Sequence, residues 1–524
     1  MEVLAMKLRN ILLSVLFAAT FCACTDFGNI NVDPNSVSAA KTDYLFTYAA
    51  RYTRYFVQNS DGYDPWTVYW NGYGAESINN QYGPLGTTAQ YSTSSYYLYA
   101  IKNLQYVIDM ASAENPGTNV TSFGDVKSQI GAASTLQAFF YLKMTDILGP
   151  IVYSEALKGS SDDNWKPKYD SVKDVYYGLF KQLNEAYTTI PADGSLNSND
   201  LFYNGNMKNW KKLNASIRML MAIRLSDIDP AKGKEEFAKA YSDGGIVKNA
   251  ENFQYTFDNL TPNTMYSQIY LVGSPSQTSM VPNSQIVDTL KAYQDKRLFE
   301  YCDVQGYKAP VTDEAGELLP ENDFNSYKGV PHGLRTNDDV SNASKGCCSF
   351  DKKLYESMTI PQVLINAAVV LFAQAEAAEL GWISATPKTL YEDAIKASFE
   401  QWGAADVDKY IASAKVAFSS NKDQALYQIH LQRWIAAFFT DGIEAWADWR
   451  RTDVPFRPVG PGALDASNNA YPYRLLYYPD TDVKYNEENY KACLKDLSDG
   501  KDTRWSRLWW DVKDNRTGVY PVAN

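Results

Sequence analysis

The stretch Phe372-Ala373-Gln374-Ala375-Glu376-Ala377-Ala378-Glu379-Leu380-Gly381-Trp382 decides the fold of this 524-residue chain. Its small side chains fall at helical spacing, so a second backbone can approach closely, and Gly381 supplies the freedom that ends a helix. A partner follows in Leu390-Tyr391-Glu392-Asp393-Ala394-Ile395-Lys396-Ala397-Ser398-Phe399, where alanines recur three apart. Two such neighbours form a tight helical hairpin. Their period is too irregular for a uniform array, and the expectation is a few degenerate hairpins inside a larger helical body.

The rest of the chain agrees. Helices are expected over Ser36 to Gln58 (opened by the turn Asp33-Pro34-Asn35), Ser95 to Ser112, Asp125 to Leu148, a segment starting at Asp170-Ser171, and Asn209 to Ile228. Gly149-Pro150 stops the third, because proline cannot continue a helix. Asp170 or Ser171 is placed to cap the fourth. Further helices are expected over Pro361 to Leu380, Thr386 to Trp402, Asp406 to Phe418 and Asp423 to Phe439. From about 249 to 355 the period fades except at Gln285 to Tyr293, which reads as an irregular insertion. The last part, Asp453 to Asn524, reads as loops and Trp-rich turns. The fold class is all-α, with tetratricopeptide-like hairpins as a scaffold and an irregular, loop-rich face.

The N-terminus carries a different message. Lys7 and Arg9 precede an apolar run from Ile11 to Phe21, then Cys22-Ala23-Cys24. A basic start, a short apolar core and a small-residue cleavage site make a secretory signal over residues 1–23. Cys24 after Ala23 has the form of a bacterial lipobox, in which the cysteine becomes the lipid-bearing first residue of a mature chain, 24–524. The apolar core is shorter than the about 20 residues that span a bilayer. Anchoring by acyl chains, rather than insertion, is therefore expected.

Composition narrows the function. The net charge is −12, and loss of Glu2, Lys7 and Arg9 with the signal leaves −13 on the mature chain. Such a balance disfavours nucleic acid, whose phosphates call for Lys and Arg. The two histidines, His332 and His430, are too few for most histidine-based metal or triad chemistry. Cys302, Cys347, Cys348 and Cys493 match no zinc or redox spacing. An exported setting allows a disulfide from Cys302 to Cys347 or Cys348, and the sequence does not choose between them. No metal or cofactor is called for.

Aromatic residues are abundant: 39 Tyr, 22 Phe and 12 Trp. Tyrosine and tryptophan join an apolar face to a polar tip, which suits wet binding surfaces. The densest such run is Asp64-Pro65-Trp66-Thr67-Val68-Tyr69-Trp70-Asn71-Gly72-Tyr73, followed by Asn79-Asn80-Gln81-Tyr82. Sugar rings stack on aromatics through their C–H faces while their hydroxyls seek amides. Trp66, Tyr69, Trp70, Asn71, Tyr73, Asn80 and Tyr82 are therefore the candidate ligand-binding residues. The competing expectation is that these aromatics clamp the loop onto the helices. A second candidate, Tyr327 to Gly333, reads as a plain turn.

The segment Glu444 to Arg451 looks chemical. Glu444 and Asp448 share a helix face, as do Trp446 and Arg450. Two carboxylates suggest a glycosidase, but hydrolases draw them from opposite walls of a cleft. A structural ion-pair and stacking network is expected instead, and no catalytic fingerprint appears elsewhere.

Taken with the lipobox, several further motifs carry a family resemblance. They are Asn31-Val32-Asp33-Pro34-Asn35, the block from Ala132 ending Leu148-Gly149-Pro150-Ile151-Val152-Tyr153, and Trp165-Lys166-Pro167-Lys168-Tyr169-Asp170-Ser171. Tyr203-Asn204-Gly205-Asn206 leads into Trp210-Lys211-Lys212-Leu213-Asn214-Ala215-Ser216. Gln432 to Ala436, Asp441 to Thr452, Arg474 to Pro479 and Arg507 to Asp511 complete the set. Together they resemble the SusD/RagB family of outer-membrane nutrient-binding lipoproteins. The resemblance implies four tetratricopeptide-like hairpins, a surface-exposed lipid anchor in the outer membrane and a SusC-type TonB-dependent transporter as partner. The implied ligand is an oligosaccharide, with a peptide or another nutrient as the alternative and a surface glycoside hydrolase as a more distant one.

Overall fold

A computed structural model of the chain describes residues 40–56, 71–76, 95–159, 161–255, 280–304, 311–313, 315–331, 334, 336–356, 361–456, 474–475, 478–503 and 505–513. The signal and Cys24 lie outside these residues. The chain divides into Met1–Lys41 and Thr42–Asn524, and every element below belongs to the second unit.

Helices dominate. They are α1 (Thr42–Ala50), α2 (Lys102–Ala111), α3 (Val126–Leu148), α4 (Val172–Thr189), α5 (Met207–Ile223), α6 (Pro230–Asp243), α7 (Ser284–Ala292), α8 (Ala367–Glu379), α9 (Pro387–Trp402), α10 (Lys422–Ala436) and α11 (Gly442–Thr452). The first is continued by a 3₁₀ segment over Arg51–Phe56, and α2 is preceded by a π-helical turn over Tyr96–Ile101. Consecutive helices pack as hairpins: α3 with α4, α5 with α6, and α8 with α9. The expected pairing of Ala373 to Ala378 with Ala394 and Ala397 is present, and all of these alanines are buried. Helix α8 is buried on nearly every side, because it also packs on α5 and α10.

Local chemistry sets the boundaries. Asp125 accepts from the Lys127 and Ser128 amides to open α3, and Gly149, at φ 92°, closes it in a conformation that excludes most side chains. Ser171 caps α4 by accepting from the Asp174 amide. The Tyr203-to-Trp210 motif folds around one buried carboxylate. Asp200 accepts from the Phe202, Tyr203 and Gly205 amides and from Trp210 Nε1 at 2.8 Å.

One helix is unanticipated, and two expectations are corrected. Pro230–Asp243 is a helix, with Asp229 as its cap and Pro230 in its first turn, where a proline costs no hydrogen bond. Asp229 and Pro230 thus begin α6, whereas α5 already ends at Ile223, short of the Ile228 expected. Gln362–Ile365 is a strand rather than the start of a helix, paired antiparallel with Phe253–Tyr255. The helix expected over Asp406 to Phe418 is only Val407–Ile411. In the C-terminal part, short helices occupy Asp480–Tyr485 and Glu487–Cys493 among the turns.

Between 249 and 355 the described residues hold only short elements besides α7: helices at Leu298–Tyr301, Asn337–Ala343 and Lys353–Glu356 and strands of two or three residues. Strand Gly74–Glu76 pairs there with Met280–Pro282, tying the segment after α1 to this region. Tyr327 and Val330 are buried, and a Cβ at Gly329 would lie 2.5 Å from the Ser284 backbone, so this second candidate is a packed turn. The four cysteines described are buried free thiols. The permitted disulfide is not formed: Cys302 and Cys348 share a hydrogen bond, and burial pushes the Cys302 thiol well up.

Candidate functional site

Of the seven candidate residues, Asn71 and Tyr73 lie among the described residues, while Trp66, Tyr69, Trp70, Asn80 and Tyr82 lie outside them. Asn71 and Tyr73 are buried clamps. Asn71 Nδ2 donates 2.7 Å to the Gly442 carbonyl, and Trp434 Nε1 donates 2.8 Å to the Asn71 carbonyl. The Tyr73 ring stacks on Trp434 at 5.3 Å, and its hydroxyl donates to the Trp434 carbonyl at 2.6 Å. These two positions fix the loop's C-terminal end to α10 and α11.

An exposed aromatic cluster lies on the two helical segments that bracket this loop in sequence. Tyr52 and Tyr99 stack at 5.4 Å, and Tyr48 meets both edge-on, at 5.7 and 6.2 Å. The Arg51 guanidinium sits 5.9 Å over Tyr48, and Lys102 sits 5.6 Å over Tyr106. Tyr44, Tyr48, Tyr99 and Tyr106 are between 38% and 51% exposed, so each ring keeps part of its surface in water. Sequence reasoning missed this cluster. Its signal was the spacing Tyr44, Tyr48, Tyr52, which places three tyrosines on one helical face.

The Glu444-to-Arg451 segment is sealed inside the fold as the expected network. Arg433 bridges Glu444 at 3.3 Å and Asp448 at 3.0 Å, confirming their common face. Arg451 holds Glu376 through both carboxylate oxygens, at 2.6 and 2.8 Å, and reaches Asp448 at 2.9 Å. Lys143 bonds Asp441 at 2.7 Å and Glu444 at 3.1 Å, and Arg224 joins Glu444 to Asp146. Arg450 lies 3.6 Å over the Trp446 ring, the second pair expected from spacing.

Burial alone would push the Glu444 and Glu376 carboxyls up, but the surrounding cations outweigh it and hold both below the usual range. Asp146 and Asp441 go the other way, pushed up chiefly by burial. Carboxylates so enclosed and so fully paired cannot serve as a solvent-facing acid and base. The described residues hold no group of three or more His, Cys, Asp or Glu that could bind a metal, and no described helix is long and apolar enough to cross a membrane.

Comparison with known proteins places this architecture. No curated protein matches the chain at a significant level. Among solved structures, a chitin-binding protein is 25% identical, with a TM-score of 0.73 over 90% of this chain and 100% of that one. A SusD homolog from Bacteroides uniformis is 23% identical, with a TM-score of 0.70 and coverages of 90% and 100%. A chitin-binding SusD homolog from Flavobacterium johnsoniae is 24% identical, with a TM-score of 0.70 and coverages of 90% and 97%. Residues 34–479 match the family described as starch-binding and associating with the outer membrane, and the chain belongs to this SusD-like family.

Proposed function

We propose that the protein captures an oligosaccharide at the outer membrane and delivers it to a SusC-type TonB-dependent transporter, without catalysis. Cleavage after residue 23 leaves Cys24 as a lipid-bearing tether that keeps the helical body at the cell surface. Trp66, Tyr69 and Trp70 stack on sugar faces, while Asn80 and the Tyr82 hydroxyl meet ring hydroxyls. The observation that carries this reading is the exposed pair Tyr48 and Tyr99, backed by the half-buried Tyr52, an aromatic surface kept wet when so many other tyrosines are buried. Family membership supports it, as do the chitin-binding relatives of the same fold.

Calorimetric titration with chitin- and starch-derived oligosaccharides, and with a set of basic peptides, tests the ligand class. Heat from at least one glycan, with no shortened products after prolonged incubation, is expected. A signal from peptides alone would move the uptake role to peptides, and cleaved glycan would overturn the non-catalytic reading. Capture of a barrel transporter on the tagged protein from detergent-solubilised outer membranes tests the partner.

A further inference from the structure

A groove of about 530 Å³ is lined by none of the cluster tyrosines. Its walls are the paired strands Phe253–Tyr255 and Gln362–Ile365, the C-terminal end of α9, the turn at Asn249, the short helix Lys353–Glu356 and Phe439. That volume falls in the range of small-molecule sites, about 300–1,000 Å³.

The walls hold an unusual group of orphans. Asn249 Oδ1, Gln362 Oε1, Gln401 Oε1 and Trp402 Nε1 are all buried, all belong to residues lining the groove, and none has a hydrogen-bond partner among the described residues. Gln362 is only 2% exposed. An unpaired buried polar atom costs about 1–3 kcal/mol, so several along one wall call for an explanation.

The orientation at Asn249 is fixed. Its Nδ2 donates to the Ala397 carbonyl at 2.9 Å and to Glu400 Oε2 at 3.0 Å, leaving Oδ1 as an acceptor. Trp402 is held by Tyr301, with ring centroids 4.7 Å apart, and by Phe438 at 5.7 Å. The two glutamine amides turn about broad terminal torsions and meet an entering group with little strain.

We infer that this groove is a second ligand site, and that it takes a neutral polyhydroxylated molecule the size of one or two sugar rings. Each hydroxyl both donates and accepts, matching the carbonyl and amino ends of the Gln362 and Gln401 amides once these turn toward the groove. Charge gives no preference for an ion. Lys353 is bonded to Glu300 at 2.6 Å and lies 5.8 Å over the Trp402 ring, and Glu400 already accepts from Asn249. Leu354, Pro361, Val363 and Phe439 supply the apolar surface that C–H faces require.

The test follows the Trp402 indole N–H by NMR while the mature protein is titrated with glucose, maltose, N-acetylglucosamine and chitobiose. Saturable movement of the Trp402 resonance by at least one of these is expected. Gln362→Leu should weaken that event about tenfold, the cost of one lost hydrogen bond to a buried partner. Its melting temperature should hold or rise, because the substitution removes an unpaired polar group. Trp66→Ala/Trp70→Ala should leave the Trp402 event intact, so failure of the loop reading and failure of the groove reading are distinguishable. A Trp402 resonance unmoved by every saccharide would overturn the inference, as would an unchanged titration in Gln362→Leu. Movement by a charged probe such as lysine amide, with none by the saccharides, would overturn the ligand class.

Discussion

Two regions of this protein treat polar chemistry in opposite ways. Around Glu376 and Glu444 the charges are dense, buried and matched by Arg451, Arg433, Arg224 and Lys143. In the tyrosine cluster and the groove, aromatic faces stay wet and amides stay unpaired. The first region looks like an active site in the sequence and serves as a keystone joining α3, α5, α8, α10 and α11. The second reads in sequence as ordinary tyrosines and glutamines, yet has the capacity left over to meet a ligand. Paired charges hold the keystone together, whereas the groove keeps amides with no partner among the described residues.

The contrast breaks most dramatically at the keystone. Glu376→Ala leaves Arg451 buried without its two-oxygen partner, and the expected loss is about 3–5 kcal/mol, read by chemical denaturation. A loss under about 1 kcal/mol would mean that water or another carboxylate replaces it. Next in size is Asp200→Ala, which strands the Gly205 amide and the Trp210 indole, for an expected loss of about 1–3 kcal/mol.

Acid sharpens the comparison further. Glu376 and Glu444 have folded pKa values held below their unfolded ones, so their contribution is present above the unfolded carboxylate range and is lost as pH falls through the lower folded values. Asp502 has the opposite sign. Burial pushes it up to about 6, with Tyr490 and the Tyr478 amide only partly offsetting that, so the fold binds its proton more tightly than the unfolded chain does. Its contribution is lost as pH rises from the unfolded value toward 6. Asp502→Asn should therefore melt higher than the wild type at pH 7, and the gap should close near pH 4. The smallest stability effect belongs to Tyr52→Ala/Tyr99→Ala, expected within about 0.5 kcal/mol of the wild type for surface positions. The same variant should bind oligosaccharide measurably less well, as calorimetry would show.

Much of the scaffold was legible because its signals are local. Asp125, Ser171 and Gly149 do at the helix ends what their side chains, or the lack of one, dictate. The alanine-rich hairpin reads from two adjacent segments. Misreadings came where one local signal has two meanings. The apolar run after Pro361 fits a strand as well as a helix. The sites were far less legible, since their residues meet only through tertiary folding. Tyr52 and Tyr99 become neighbours when α1 packs near the turn before α2, and the groove joins residues near 249, 362 and 402. Asn71 and Tyr73 share the loop's composition with Trp66 and Trp70, and composition alone does not separate a clamp from a contact.

That last distinction gives the most direct test of the account. Trp66→Ala/Trp70→Ala and Tyr73→Ala can be melted and titrated with the same oligosaccharide side by side. The account predicts that the tryptophan variant melts with the wild type and loses glycan binding, while Tyr73→Ala melts several degrees lower. A tryptophan variant that melts lower yet still binds glycan at wild-type affinity would contradict it.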